Sequence, residues 1–330
     1  MQRWNDLADV PQGWGPSVVT LGNFDGVHTG HRAVLGRTVE AARAAGARAV
    51  AVTFDPHPLQ VLRPERAPQL ITGLQQRLTL IEATDMDAAL VLAFTPELAA
   101  WEPEQFVRLV LVQPLRASAV VVGRDMRFGH RGSGDVSTLA ALGAQHGFVV
   151  EVVEDLAPDD GSRRASSGWV RELLSVGDVA TAAVLLGRPH RVSGRVVHGD
   201  HRGRELGYPT ANLDQDVDGM VPADGVYAGW LLRPSLAQAA PERLLPAAIS
   251  IGTSPTFDGV QRRVEAYALD RTDLDLYGED VSLELVHRLR PTVRFDDVPA
   301  LVEQMAQDVA QCRELLGGAI VPEQTAADPG

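Results

Sequence analysis

Short, mainly apolar runs alternate with longer stretches of helical period through the first half of the chain. SVVTL, ARAVAVTF, AALVLAF, ASAVVVG and FVVEVVE read as strands. Between them, HRAVLGRTVEAARAAG, ITGLQQRLTLIEATD, PEQFVRLVLVQ and VSTLAALGAQHG read as helices. Strands that are apolar throughout are buried on both faces, and strand–helix alternation predicts a parallel, doubly wound sheet. SSGWVRELLSVGDVATAAVLL then reads as helical, opened by serines that can cap it.

The texture changes after Leu186. VSGRVVHG, GVYAGWLL, LPAAISIG, RRVEAYALD and VSLELVHRLR are short strand-like runs between Gly/Pro/Asp-rich loops. That pattern predicts a small antiparallel barrel or sandwich. DDVPALVEQMAQDVAQCRELLG closes it as an amphipathic helix. The expected layout is residues 1–186, residues 187–318, and a loose tail over 319–330.

Composition adds limits. The 330 residues exceed what one core usually holds. The 30 basic and 43 acidic residues give a net charge of −13, which argues against nucleic-acid binding. Small phosphate ligands remain compatible with it, because backbone N–H groups and local arginines can hold them. No apolar run is long enough to span a membrane, and the N-terminus lacks a secretory pattern. The single cysteine, Cys312, leaves no internal disulfide or multi-cysteine metal site, so a reducing cytoplasm is the expected home.

Ligands of parallel sheets sit beyond the carboxyl ends of the strands. Three polar loops fall there: GNFDGVHTGH, TFDPHP and GRDMRFGHRGSGD. In the first, His28 and His31 would lie one turn apart at a helix start, preceded by Gly22, Asn23, Phe24, Asp25 and Gly26. Helix N–H groups and two imidazoles suit a phosphoryl group that gains charge. A metal reading lacks further ligands, and surface histidines are the bland alternative for the pair alone. In the second loop, Asp55 or His57 could face a ligand, or simply end a strand. In the third, Asp125 and Phe128 could contact a planar ring, against a solvated turn. Arg171 could clamp phosphates together with the serines before it, although a surface arginine is commoner.

The second half offers GDHRGRELGYPTAN. Its recurrent glycines could lay N–H groups along a polyphosphate, and Thr210 and Asn212 offer oxygens to Mg²⁺. A glycine-rich hairpin tip is the alternative. Glu265 could act as a base near a hydroxyl; Glu284 is a direct rival that spacing does not separate from it.

These motifs, with LLGRPH, GVYAG, IGTSPTF and DLYGEDV, occur in one order from about Ser17 to Leu316. In that order the chain resembles the prokaryotic bifunctional riboflavin kinases/FMN adenylyltransferases, the FAD synthetases. The resemblance implies a Rossmann-like HxGH nucleotidyltransferase domain and a riboflavin-kinase β-barrel with a terminal helix. It implies ATP-dependent phosphorylation of riboflavin to FMN, then adenylylation of FMN to FAD with release of pyrophosphate. His28 and His31 match the HxGH pair, and Gly22 to Gly26 the nucleotide loop with Asp55 nearby. Asp125, Phe128 and Gly129 match the flavin/nucleotide-side loop. Ser166, Ser167 and Arg171 match a phosphate motif in which Gly168 replaces the usual threonine. In the kinase half Gly199, Gly203, Arg204, Gly207 and Pro209 match the ATP/flavin loop. Thr210 and Asn212 match the Mg²⁺ and phosphate residues, and Glu265 matches the base. His190 and Ser254 depart from the family's pattern. The implied ligands are riboflavin, FMN, FAD, ATP and Mg²⁺, with no nucleic acid or membrane; a homo-oligomer is compatible with the chain. The rival reading is an HxGH nucleotidyltransferase for another acceptor with a regulatory β domain.

Overall fold

A computed structural model describes residues 1–154, 163–198, 207–256 and 259–317, without the side chains of 254–261. The described residues fall into two compact units that meet between Ser166 and Ser167 in sequence.

The first unit is a six-stranded sheet in the order β1-β4-β3-β2-β5-β6. Its strands are β1 (Gln2–Trp4), β2 (Ser17–Leu21), β3 (Arg48–Asp55), β4 (Ala88–Ala93), β5 (Ala117–Gly123) and β6 (Val149–Val153). Every pairing is parallel. The helices are α1 (Thr29–Ala45), α2 (Pro58–Leu62), α3 (Leu74–Glu82), α4 (Pro96–Ala99), α5 (Pro103–Phe106) and α6 (Val136–His146). A π-helical segment, Val107–Val112, continues α5.

Alternation along each strand divides the core. Val18, Ala49, Ala51 and Val121 pack with Leu35 and Ala42 of α1 and Ile81 of α3. Their neighbours Val19, Val50, Val52 and Val120 pack on the other face with Val107, Leu111 and Leu139. Successive strand side chains point to opposite faces, so an all-apolar run covers two helix layers at once. β1 is a sequence-level omission. Three residues at the chain's start carry no period, and only pairing with β4 makes them a strand.

The second unit opens with α7 (Ser167–Val176) and α8 (Val179–Leu186). The pattern predicts one helix here. Asp178 instead caps a second one, its side chain accepting from Thr181 N–H at 3.0 Å. A closed antiparallel barrel follows in the order β10-β11-β8-β7-β12-β9. Its strands are β7 (His190–Val197), β8 (Ala211–Leu213), β9 (Gly225–Leu232), β10 (Leu244–Thr256), β11 (Gly259–Ala268) and β12 (Asp280–Arg290). The final helix, α9 (Val298–Gly317), buries Val309, Cys312 and Leu316 against Ala228, Trp230 and Tyr267. Arg290 of β12 also grips buried Asp308 of α9, with nitrogen–oxygen distances of 2.7 to 3.2 Å. Burial pushes the Cys312 thiol pKa up to about 12, and Asp308 adds to it.

Candidate functional site

The parallel sheet sets the carboxyl ends of β2, β3 and β5 side by side, because β2 pairs with both of the others. The loop after β2 runs straight into α1. His28 is the N-cap of that helix, and its Nδ1 accepts the His31 N–H at 3.3 Å. Nδ1 therefore carries no proton, and a neutral His28 holds its hydrogen on Nε2. The two imidazoles stack with centroids 3.7 Å apart, and Phe24 meets His31 edge-on at 5.4 Å. A Cβ on Gly30 would sit 3.2 Å from the His28 ring, so the glycine between the histidines leaves room for that ring.

Among the described residues, His31 Nδ1 is buried without a hydrogen-bond partner. Burial first, and the neighbouring His28 second, hold the His31 pKa well below 6.5. His31 is thus a neutral imidazole at physiological pH.

The loop is strained and held from below. Phe24 and Val27 both have positive φ, 48° and 39°, and both side chains are buried. Left-handed backbone at a β-branched residue persists only where surroundings fix it. Asp25 supplies part of the fixing. Its carboxylate accepts the N–H groups of Ile71 at 3.2 Å and Thr72 at 3.0 Å. Gly26 N–H donates to the Thr72 hydroxyl at 3.0 Å. Phe24 and Asp25 thus turn inward, beneath the loop.

Arg77, on α3, is 1% exposed. Its guanidinium donates to the carbonyls of Asn23 at 2.9 Å and Phe54 at 3.1 Å, and lies 3.6 Å from Asp55. His57 caps α2, accepting Leu59 N–H at 3.2 Å on Nδ1, while its Nε2 lies 3.4 Å from the Asn23 amide. The loops after β2 and β3 are therefore joined.

The loop after β5 divides by side chain. Asp125 is exposed and pairs with Arg164 at 2.5 Å. Phe128 is buried, against Phe106 at a centroid distance of 5.9 Å. Gly129 has φ 72°, and a Cβ there would lie 2.8 Å from Pro103 Cγ, so only glycine fits. Ser166 closes the first unit, whereas Ser167 and Arg171 belong to α7 in the second. Among the described residues, no three His, Cys, Asp or Glu side chains group so as to hold a metal.

In the barrel, Pro209 and Thr210 lead directly into β8, whose first two residues are Ala211 and Asn212. Glu265 of β11 stands directly opposite Asn212 of β8 in the antiparallel register. The Asn212 amide nitrogen donates to the Thr210 carbonyl and hydroxyl, both at 3.3 Å. Pro209, Thr210 and Asn212 line a cavity of about 220 Å³ together with Arg271, Asp273 and Tyr277. Glu284, the rival carboxylate, is buried and salt-bridged to Arg191, its cross-strand partner. Gly207 is described next to this wall with φ 86°, whereas Gly199, Gly203 and Arg204 lie outside the described residues, as do the 319–330 tail and the Ser254 side chain.

A FAD synthetase family model matches residues 10–168, and a riboflavin kinase model matches residues 186–316. The bifunctional riboflavin kinase/FMN adenylyltransferase of Escherichia coli K12 is 36% identical over 315 residues, 95% of this chain and 96% of its own. The chain belongs to the bifunctional riboflavin kinase/FMN adenylyltransferase family. The Bacillus subtilis member is 33% identical, covering 88% of this chain and 90% of its own. A crystal structure from Streptococcus pneumoniae, described as a macrolide-efflux protein, matches at TM-score 0.82 and 30% identity. It covers 94% of this chain and 98% of its own. No described helix of the present chain is long and apolar enough to cross a membrane.

Three further residues shape the site without standing out in the sequence: Thr72, Arg77 and Gly30. Gly30 stands inside the quoted motif and is found by asking what the His28 ring needs. Thr72 and Arg77 lie about fifty residues from the loop they hold, and nothing local marks them.

Proposed function

We infer that this chain makes FMN from riboflavin and ATP, and FAD from FMN and ATP, and we propose which residues do so. The stacked pair at the start of α1 carries the adenylyltransferase assignment. In that step an oxygen of the FMN phosphate attacks the α-phosphorus of ATP. A new P–O bond forms, the α–β bridging bond breaks, and pyrophosphate leaves. Negative charge gathers on the non-bridging α-phosphate oxygens. His28 offers Nε2–H, and His31 offers a neutral ring with an orphaned nitrogen. The α1 dipole favours the same charge. An unpaired buried nitrogen costs about 1–3 kcal/mol, and a ligand or water at His31 would relieve it.

Gly22, Asn23 and Gly26 shape the nucleotide loop in this proposal, and Phe24 and Asp25 support it from below. Asp55 and Asp125 face the ligand side, while Phe128 and Gly129 set the third loop's path. Phosphate contacts are assigned to Ser166, Ser167 and Arg171 on their motif alone, without the hydroxyl that Gly168 lacks.

For the kinase step, the 5′-hydroxyl oxygen of riboflavin attacks the γ-phosphorus of ATP, and ADP leaves. Glu265 takes the hydroxyl proton. Its register with Asn212 supports this, as does the Arg191 salt bridge that occupies Glu284. Thr210 and Asn212 present a hydroxyl and an amide oxygen, hard donors that fit Mg²⁺, and we propose that they hold it with the ATP phosphates. Bound there, Mg²⁺ would offset phosphate charge. Gly199, Gly203, Arg204, Gly207 and Pro209 are assigned to the surrounding ATP/flavin loop. A cytoplasmic enzyme without nucleic-acid or membrane partners fits the acidic charge and single buried thiol.

The test is incubation with riboflavin, ATP and Mg²⁺, then separation of the flavins. His28→Ala should abolish FAD and spare FMN formation; Glu265→Gln should abolish FMN formation and leave added FMN convertible to FAD. Loss of both activities in either folded variant contradicts the division of labour.

A further inference from the structure

A buried arginine braces the loop that leads to the two histidines. Arg77 sits three residues beyond the start of α3, with its guanidinium inside the protein. A charged group is costly to bury unless it is well satisfied. Here it is directed at main chain. One nitrogen donates to the Asn23 carbonyl, in the loop that leads to His28. The other donates to the Phe54 carbonyl, where β3 gives way to the Asp55–His57 turn. Asp55 lies 3.6 Å away and is partly exposed, so it screens the cation incompletely. The same short stretch of chain holds Asp25 and Gly26 through Ile71 and Thr72.

A core arginine used only for packing would not need to join two loops beyond separate strands. An apolar side chain could fill the volume but could donate to neither carbonyl. We propose that Arg77 is a positioning residue for FMN adenylylation. It fixes the Asn23 and Phe54 carbonyls, and so sets the loops after β2 and β3 at the spacing the nucleotide and the His28/His31 pair require. This rests on the adenylyltransferase reading of that pair.

Two variants of the full chain, Arg77→Met and Arg77→Lys, test it. Both activities are measured in each preparation, with circular dichroism and thermal melting. Displacing reacting groups by about 1 Å costs about 100-fold in rate, so Arg77→Met should lower kcat for FAD formation by about 10- to 100-fold. KM for ATP should change by less than about 3-fold if the loss is alignment rather than ground-state binding. Arg77→Lys keeps one charged donor and should recover part of the lost kcat. Riboflavin phosphorylation should stay at the unmutated rate in both.

Unchanged kcat in folded Arg77→Met would overturn the proposal. So would a loss in Arg77→Lys as large as in Arg77→Met, or unfolding of the first unit in both, which would make Arg77 a folding residue only. Absence of FAD formation by the unmutated chain would instead refute the adenylyltransferase reading itself.

Discussion

Asp25 offers a direct test of how the HxGH loop is held. It is 2% exposed, and its two oxygens have separate duties. Oδ2 accepts Ile71 N–H at 3.2 Å; Oδ1 accepts Thr72 N–H at 3.0 Å and the Thr72 hydroxyl at 3.4 Å. Asp25→Asn keeps size and shape but puts an NH₂ group against one of two backbone donors. Rotating the amide only changes which N–H loses its acceptor. A hydrogen bond to a charged group contributes about 1.5–3 kcal/mol, so Asp25→Asn should cost the first unit about 2–3 kcal/mol. Asp25→Ala removes both acceptors and should cost about 3–5 kcal/mol, less whatever entering water recovers. Two units need not melt together, so one global unfolding curve is the wrong assay. Hydrogen–deuterium exchange of peptides spanning residues 69–74 reports the latch, and flavin synthesis along a heating ramp reports each unit. FAD formation should fail at a lower temperature than in the unmutated chain, while FMN formation keeps its profile. If Asp25→Asn leaves both the exchange at Ile71 and Thr72 and the FAD profile unchanged, the latch contributes nothing and the reasoning is wrong.

The other expectations concern the barrel and the histidine pair. A Cβ at Gly229 would lie 2.1 Å from the Glu284 carbonyl oxygen, so Gly229→Ala must push β9 from β12. Overpacking of this kind costs about 1–3 kcal/mol or more, and riboflavin phosphorylation should fail on mild heating while added FMN is still adenylylated. An NMR titration of the imidazole Cε1–H signals should show no His31 transition near 6.5, because burial and His28 depress its pKa; a transition at 6.5 would refute its burial. The sign for stability follows. Below about 6.5 the unfolded chain takes up a proton that native His31 refuses, so the His31 contribution makes the fold less stable as pH falls through that value. Replacing His28 with alanine should raise the His31 pKa only part of the way, since burial is the larger cause.

The local sequence was enough for most features that rest on period or on a compact motif, though it joined α7 and α8 into one helix. SVVTL and ARAVAVTF carry apolar residues on both faces of the strand because both faces carry helices, and that reads directly as a parallel sheet. GNFDGVHTGH follows one such strand, so its place at the ligand edge was legible, as was the helix turn that stacks His28 on His31. The change of texture after Leu186 announced a β unit, while closure of that unit depended on strands meeting across the barrel. The sequence did not separate Glu265 from Glu284 by spacing. Register gives the two different neighbours, Asn212 for Glu265 and Arg191 for Glu284, and the proposal of Glu265 as the base rests on that difference. It presented Phe24, Asp25 and Phe128 as loop residues, and folding turned all three inward. Strand β1 and the Arg77 brace were decided only in three dimensions. Neither has a local signature, because a pairing partner 86 residues away or carbonyls 23 and 54 residues away are supplied by the chain's path and not by its neighbours in sequence.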